Sequence, residues 1–192
     1  MDTFTRLGNR VILGMSLMRW DTMDHVGDFS PWVAQMVMAI TEHKQAFQPT
    51  GKQFKENVLW IGQQLEQFIF RCSVITNFGA QQLLVDIHEV KQHVLPMLEG
   101  DDKNKNARFL ERAFREAVCA LKFITLCANQ IEAATRLYIK LYANYDSLLF
   151  ERLLKLKGVP LPKVQKCVQY FVDTTPPAHA TTTPSLFAQL FG

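Results

Sequence analysis

The 192-residue sequence has no run of about eighteen consecutive apolar residues, the length a helix needs to cross a bilayer. Any work at a membrane is therefore expected to be peripheral or carried out through partners. Cysteine is sparse, and no Cys-x-x-Cys pair occurs: Cys72, Cys119, Cys127 and Cys167 stand alone. They read as small core hydrophobes in a reducing compartment rather than as a disulfide framework or metal knuckle. The absence of any Asn-x-Ser/Thr acceptor agrees with a cytosolic address. Val11 to Met18 is mostly apolar and follows Arg6 and Arg10, but no small-residue cleavage site comes after it, so no signal peptide is read there. An excess of one charge is missing too. The 21 basic and 18 acidic side chains leave a formal charge of +3. They are interspersed, as in Arg108, Glu111, Arg112, Arg115 and Glu116, which is the pattern of a solvated surface rather than a nucleic-acid face. Strand-like alternation between hairpin turns and a repeat of fixed period are likewise absent.

What is present is core material. Hydrophobic residues make up 48% of the chain and charged ones 20%, the balance of a folded globular protein. A chain this long buries roughly 70% of the surface its unfolded form exposes, enough to fold without a disulfide or metal. Length alone allows one domain or a pair of small helical lobes.

Proline and glycine fall mostly between segments, with Gly14 and Gly62 as exceptions. A first helix is expected from near Asp2 to Trp20, followed by a polar linker, Asp21 to Ser30. Pro31 suits the first turn of a second helix with Ser30 as N-cap, and Pro49-Thr50-Gly51 stops it. A third helix spans about Lys52 to Cys72, with Phe54, Val58, Ile61, Leu65, Phe68 and Ile69 on one stripe. Thr76 or Asn77 caps a fourth, which Pro96 ends or kinks. From Ala107 to Ala143 there is neither Gly nor Pro, which predicts one long helix or a bend near Asn129. A shorter helix runs from Tyr145 to Gly158, and a last one from about Pro162 to Val172. The fold class is thus all-α: six to eight antiparallel helices in bundles, divided as residues 1–98 and 99–172, with a disordered Thr/Pro-rich tail at 173–192.

Motifs with chemistry fail on inspection. His88-Glu89-Val90-Lys91-Gln92-His93 resembles a zincin helix, but its histidines are five residues apart, about 140° around a helix, and badly placed to share zinc. Asp102 to Asn106 opens like a calcium loop, yet Ala107 stands where glycine is needed and Ala113 where the bidentate glutamate belongs. No P-loop, nucleophile elbow or dinucleotide fingerprint occurs. Asp24, His25 and Asp28 lie close in one loop, where capping of backbone groups explains them better than metal binding or acid–base work. Cys119 and Cys127 lack a neighbouring histidine and read as core. The scattered aromatics read the same way, because a nucleic-acid platform needs them exposed and interleaved with Arg or Lys. No catalytic residue, cofactor or metal is expected.

Three blocks carry a family resemblance. The first is Met18-Arg19-Trp20 with Asp24-His25-Val26-Gly27-Asp28-x-Ser30-Pro31. The second is Phe78-Gly79-Ala80-Gln81-Gln82-Leu83-Leu84-Val85-Asp86-Ile87-His88-Glu89-Val90-Lys91. The third is Tyr138-Ile139-Lys140-Leu141, with Phe150-x-x-Leu153-Leu154-x-Leu156-Lys157-Gly158-Val159 after it. In this order and at these spacings the chain resembles the vacuolar protein sorting-associated protein 53 family over about residues 10 to 170. The resemblance implies the C-terminal helical-bundle region of a subunit of the Golgi-associated retrograde protein complex and of its endosomal recycling relative. That region follows the family's long N-terminal coiled coil, and the sequence is expected to begin beyond it. The implied role is non-catalytic: tethering endosome-derived vesicles at the trans-Golgi network before SNARE-mediated fusion. Implied partners are the other tether subunits, with SNAREs or small GTPases beside them. The implied location is the cytosolic face of the trans-Golgi network and endosomes, with peripheral membrane association through partners and neither nucleic acid nor a small-molecule substrate.

The fourth helix suggests where a partner would bind. Leu83, Ile87, Val90 and Val94 form its buried stripe, whereas Gln82, Asp86, Glu89 and His93 follow the same spacing roughly 100° away. That polar face, centred on Gln82 and Asp86, is expected to contact a partner; the alternative is that Asp86 caps or pairs with a neighbouring helix. The loop carrying Asp24, His25 and Asp28 is a second candidate, and the tail segment Ser185 to Phe191, able to dock in a partner groove, is a third. The rival to tethering is a helical nucleic-acid-associated or ribosome-associated scaffold. An enzyme built in a bundle ranks last, because no Glu-x-x-His occurs.

Overall fold

The computed structural model describes residues 3–98, 102–127, 130–143 and 146–175. These form nine α-helices: α1 Thr3–Ser16, α2 Pro31–Phe47, α3 Gly51–Arg71, α4 Asn77–Val94, α5 Lys103–Ala113, α6 Arg115–Leu126, α7 Ile131–Tyr142, α8 Ser147–Leu156 and α9 Leu161–Thr174. A 3-10 turn, Leu95–Met97, carries Pro96 directly after α4. The all-α expectation holds. Asn129 and the tail from residue 176 onward, including Ser185 to Phe191, lie outside the described residues.

Local chemistry fixes most boundaries. Thr50 and Gln53 close a reciprocal capping box at the start of α3. Thr76 Oγ1 accepts from the Gly79 amide at the start of α4, Asp102 from the Lys105 amide at α5, and Asp146 from the Leu148 and Leu149 amides at α8. Gly158 follows α8 with φ +78°, a conformation side chains disfavour. Ser30 takes the N-cap position of α2 as expected, but its side chain makes no cap bond.

The helix count exceeds the expected six to eight because the glycine-free stretch from Ala107 to Ala143 is three helices. Its first break is at Phe114, with φ −106° and ψ 6°. There α3 crosses so closely that a Cβ on Gly62 would stand 2.0 Å from the Ala113 carbonyl oxygen. A glycine in another helix marks the break, so no local signal in 107–143 reveals it. The second break follows Leu126: Cys127 is extended, and α7 starts at Ile131.

Burial is continuous. One cluster of buried side chains runs from Met15 in α1 to Phe171 in α9. It crosses the expected boundary between residues 98 and 99, because α6 packs on both α3 and α4. Buried side chains from both sides of that boundary belong to the cluster. Within it, Phe123, Tyr138, Phe150 and Phe171 pack ring against ring, with centroids 4.9 to 6.4 Å apart. The Tyr138 hydroxyl donates to the Asp146 carbonyl oxygen at 2.7 Å, which satisfies its polar end. Helix α4 packs against α2 as well as α6, so it buries more than one stripe.

Candidate functional site

The polar residues of α4 converge on the loop that precedes α2. Asp86, with no exposed surface, accepts at Oδ1 from the Ser30 amide at 2.8 Å and at Oδ2 from the Trp32 indole N–H, also at 2.8 Å. Gln82, one helical turn earlier, donates from Nε2 to Asp86 Oδ1 at 3.0 Å and to the Asp28 carbonyl oxygen at 2.7 Å. Its Oε1 accepts from the Gly27 amide at 2.8 Å. The i, i+4 spacing puts both side chains on one face of α4, and together they clamp the backbone of residues 27–30 and the ring of Trp32. A carboxylate is acceptor-only and a primary amide both donates and accepts, so the two saturate a mixed set of backbone groups.

A second anchor holds the start of the loop. The Thr76 amide donates to the Trp20 carbonyl oxygen at 2.9 Å, and its hydroxyl lies 3.0 Å from the Met23 carbonyl oxygen. The Trp20 indole N–H donates to the Met15 carbonyl oxygen at 2.9 Å. Gly79 is required here, since a Cβ would meet the Trp20 carbonyl oxygen at 2.6 Å. Between the anchors Asp24, His25, Val26, Asp28 and Phe29 are exposed. Asp24 takes a 2.7 Å contact from His25 Nδ1, and that hydrogen bond lowers the Asp24 carboxyl below its ordinary range.

The expected partner face therefore divides. Gln82 and Asp86, its supposed centre, are buried and committed to internal hydrogen bonds, which corrects the reading of them as an outward contact surface. The alternative describes them: they pin a neighbouring segment. The error arose from treating α4 as buried on one side only. Glu89 is half-buried and His93 exposed, and the His93 ring lies 2.9 Å from the Glu89 carbonyl oxygen and 3.9 Å from its carboxylate. That pair sits up to two turns, roughly 10 Å, along the axis from Asp86 and is not part of the clamp. Asp24, His25 and Asp28 do lie at the clamped loop, with their side chains outward; Asp28 meets Gln82 through its backbone only. Trp32 belongs to the arrangement but was not singled out from sequence, and Thr76 and Trp20 were read there only as a helix cap and as part of a family block. The signal was available for the tryptophans, since a buried indole N–H needs an acceptor.

Chemically the site positions a segment. Among the described residues no group of three His, Cys, Asp or Glu side chains is placed to hold a metal ion. All four thiols are pushed up by burial, Cys72 to about 11, which is opposite to the shift that makes a reactive thiolate. Beside the Trp20 anchor lies a partly open cavity of about 430 Å³, lined among others by Ile12, Met18, Trp20, Phe68 and Val74, with Arg71 also lining it. No helix among the described residues is long and apolar enough to cross a membrane.

Sequence comparison then addresses the family. The chain is 28% identical over 159 residues to a Caenorhabditis elegans protein named vacuolar protein sorting-associated protein 53 homolog, a match covering 76% of this chain and 20% of that one. It is 27% identical over 167 residues to vacuolar protein sorting-associated protein 53 A of Arabidopsis thaliana, covering 82% and 20%. The resemblance to the vacuolar protein sorting-associated protein 53 family holds. A contiguous match to three quarters of the chain has to include α4, so Gln82 and Asp86 lie inside the shared region. The chain spans about a fifth of the length of the curated relatives it matches. No family model and no solved structure matches it.

Proposed function

We propose that this chain is a helical region of a non-catalytic subunit of a vesicle-tethering complex, acting in retrograde transport from endosomes to the trans-Golgi network. The observation that carries the reading is the similarity to two vacuolar protein sorting-associated protein 53 relatives over 76% and 82% of the chain. The all-helical architecture and a polar cluster spent on positioning a loop support a role in contact rather than in chemistry. The other tether subunits are its partners, with SNAREs or small GTPases beside them. It works at the cytosolic face of the trans-Golgi network and endosomes.

Within this reading the contact surface is the exposed part of the clamped loop, with Asp24, His25 and Asp28 beside Val26 and Phe29, which are 36% and 46% exposed. Gln82 and Asp86 act as positioning residues beneath it, and Glu89 with His93 contributes a separate stretch of the α4 surface. Affinity purification of the tagged endogenous protein tests the proposal. Recovery of the other tether subunits is expected, and recovery of ribosomal or RNA-processing proteins in their place overturns it. Asp28→Ala with Phe29→Ser should reduce that recovery while leaving the unfolding midpoint unchanged.

A further inference from the structure

The turn between α8 and α9 reads Lys157-Gly158-Val159-Pro160-Leu161-Pro162-Lys163, an apolar knuckle between two lysines. Pro160, Leu161 and Pro162 are exposed, Leu161 at 63%. Two other helix ends meet it. Lys157 Nζ donates to the Ile124 carbonyl oxygen at 2.6 Å, which brings in the C-terminal end of α6. Ile131, at the start of α7, lines a shallow pocket together with Pro160, Pro162, Lys163 and Lys166. Leu126, 62% exposed, and Lys122 share one face of α6 at i, i+4 spacing.

The charge of this end is one-sided. Residues 152–172 contain Arg152, Lys155, Lys157, Lys163 and Lys166 and no acid. Lys155 is paired with Glu151, and Arg152 turns to the Phe70 ring and carbonyl on α3. Glu132, the carboxylate at the start of α7, is bound to Arg136. Among the described residues no carboxylate pairs with Lys122, Lys163 or Lys166.

The backbone of the knuckle is suited to an apolar surrounding. The Gly158 amide donates to the Lys155 carbonyl and the Val159 amide to the Leu154 carbonyl, at 2.8 and 3.0 Å. Pro160 and Pro162 have no N–H, and the Lys163 amide donates to the Pro160 carbonyl at 2.9 Å. Between 158 and 163 only the Leu161 amide has no backbone acceptor. Moving this turn out of water therefore strands one donor, whereas an ordinary exposed turn strands several.

We propose that the α8–α9 knuckle docks on an anionic phospholipid bilayer, with Leu161 and its flanking prolines entering the headgroup region and Lys163 and Lys166 lying against the lipid phosphates. Charge complementarity selects this occupant, and the exposed leucines distinguish a bilayer from a purely polar polyanion. The contact is direct and does not depend on the tethering proposal; it is measured on the purified chain alone.

The test is co-sedimentation of the full chain with vesicles of phosphatidylcholine, with and without roughly 30% phosphatidylserine. Binding is expected only with the anionic lipid and should weaken as salt is raised. Each lysine at such a surface is worth about fivefold in partitioning, so Lys163→Gln with Lys166→Gln should lower it roughly 25-fold. Leu161→Ser should lower it roughly tenfold. Leu148→Ser, at an equally exposed leucine at the start of α8 (75%), should change nothing. Unchanged melting curves show that the variants fold. No binding of the parent chain to anionic vesicles at low salt overturns the proposal. So does equal loss from Leu161→Ser and Leu148→Ser, or lysine-dependent capture of single-stranded RNA that is indifferent to Leu161.

Discussion

Replacing Asp86 with alanine separates a residue that holds the fold from one that touches a partner. The carboxylate receives the Ser30 amide, the Trp32 indole N–H and the Gln82 amide at 2.8, 2.8 and 3.0 Å. In Asp86→Ala, Gln82 keeps the Asp28 carbonyl as an acceptor, but the Ser30 and Trp32 donors are buried at 4% and 2% exposure and lose theirs. A buried donor without a partner costs about 1–3 kcal/mol, so the two together cost roughly 2–6 kcal/mol. A domain of this size has about 5–15 kcal/mol in total. At about 2–4 °C per kcal/mol, the melting temperature should fall by roughly 10 °C. Thermal melting followed by circular dichroism measures it, and in urea the midpoint should move with the slope unchanged. Asp28→Ala is the internal control: its backbone, not its side chain, meets Gln82, so the expected change is within about 0.5 kcal/mol. Equal stability of Asp86→Ala and Asp28→Ala refutes the clamp.

Further outcomes follow from the same geometry. Gly62→Ala would place a methyl group 2.0 Å from the Ala113 carbonyl oxygen, forcing α3 off the α5–α6 junction at a cost of several kcal/mol (about 3 or more) in chemical unfolding; Gly27→Ala, with nothing within 4 Å, should be silent. The Glu66 carboxyl is raised by burial and secondarily by Glu116, so its folded form holds a proton more tightly than the unfolded chain does. That stability is full below the ordinary glutamate value of 4.5 and is lost as pH rises through the folded value, so Glu66→Gln should raise the unfolding midpoint at pH 7 and lose the advantage in acid. Burial also raises all four thiols, so alkylation by iodoacetamide at pH 7 should be slow in the folded protein and fast in urea.

Helix existence was legible where the cause was local. The stripe from Phe54 to Ile69, the Thr76 cap and Gly158 are each read from neighbours within a turn or two, and all three are found in place. The break at Phe114 was not, because its cause is the approach of Gly62, some fifty residues earlier in sequence and in another helix. Asp86 shows the same limit from the opposite direction. Its offset from the Leu83–Val94 stripe was correct, but offset from one buried stripe means exposure only if the helix has one packed side. Periodicity gives the angle of a residue around its own axis, and it carries no information on how many neighbours surround that axis.

The two surfaces singled out above, the clamped loop and the α8–α9 knuckle, are mechanically joined. The Ile75 amide donates to the Leu156 carbonyl oxygen at 2.8 Å, and the next amide, Thr76, donates to the Trp20 carbonyl oxygen at 2.9 Å. One short connector, between α3 and α4, thus ties the end of α8 to the start of the loop. Gly158 sits against Val74 in that connector, where an added Cβ would come within 3.2 Å of Val74 Cγ1. Close packing leaves little room for independent motion of segments linked through two consecutive backbone bonds. A partner held by the loop and a lipid surface held by the knuckle would therefore be fixed in relative position. Tethering needs that property more than it needs high affinity at either contact, because two linked weak sites reach avidity only when their geometry permits both to be occupied at once.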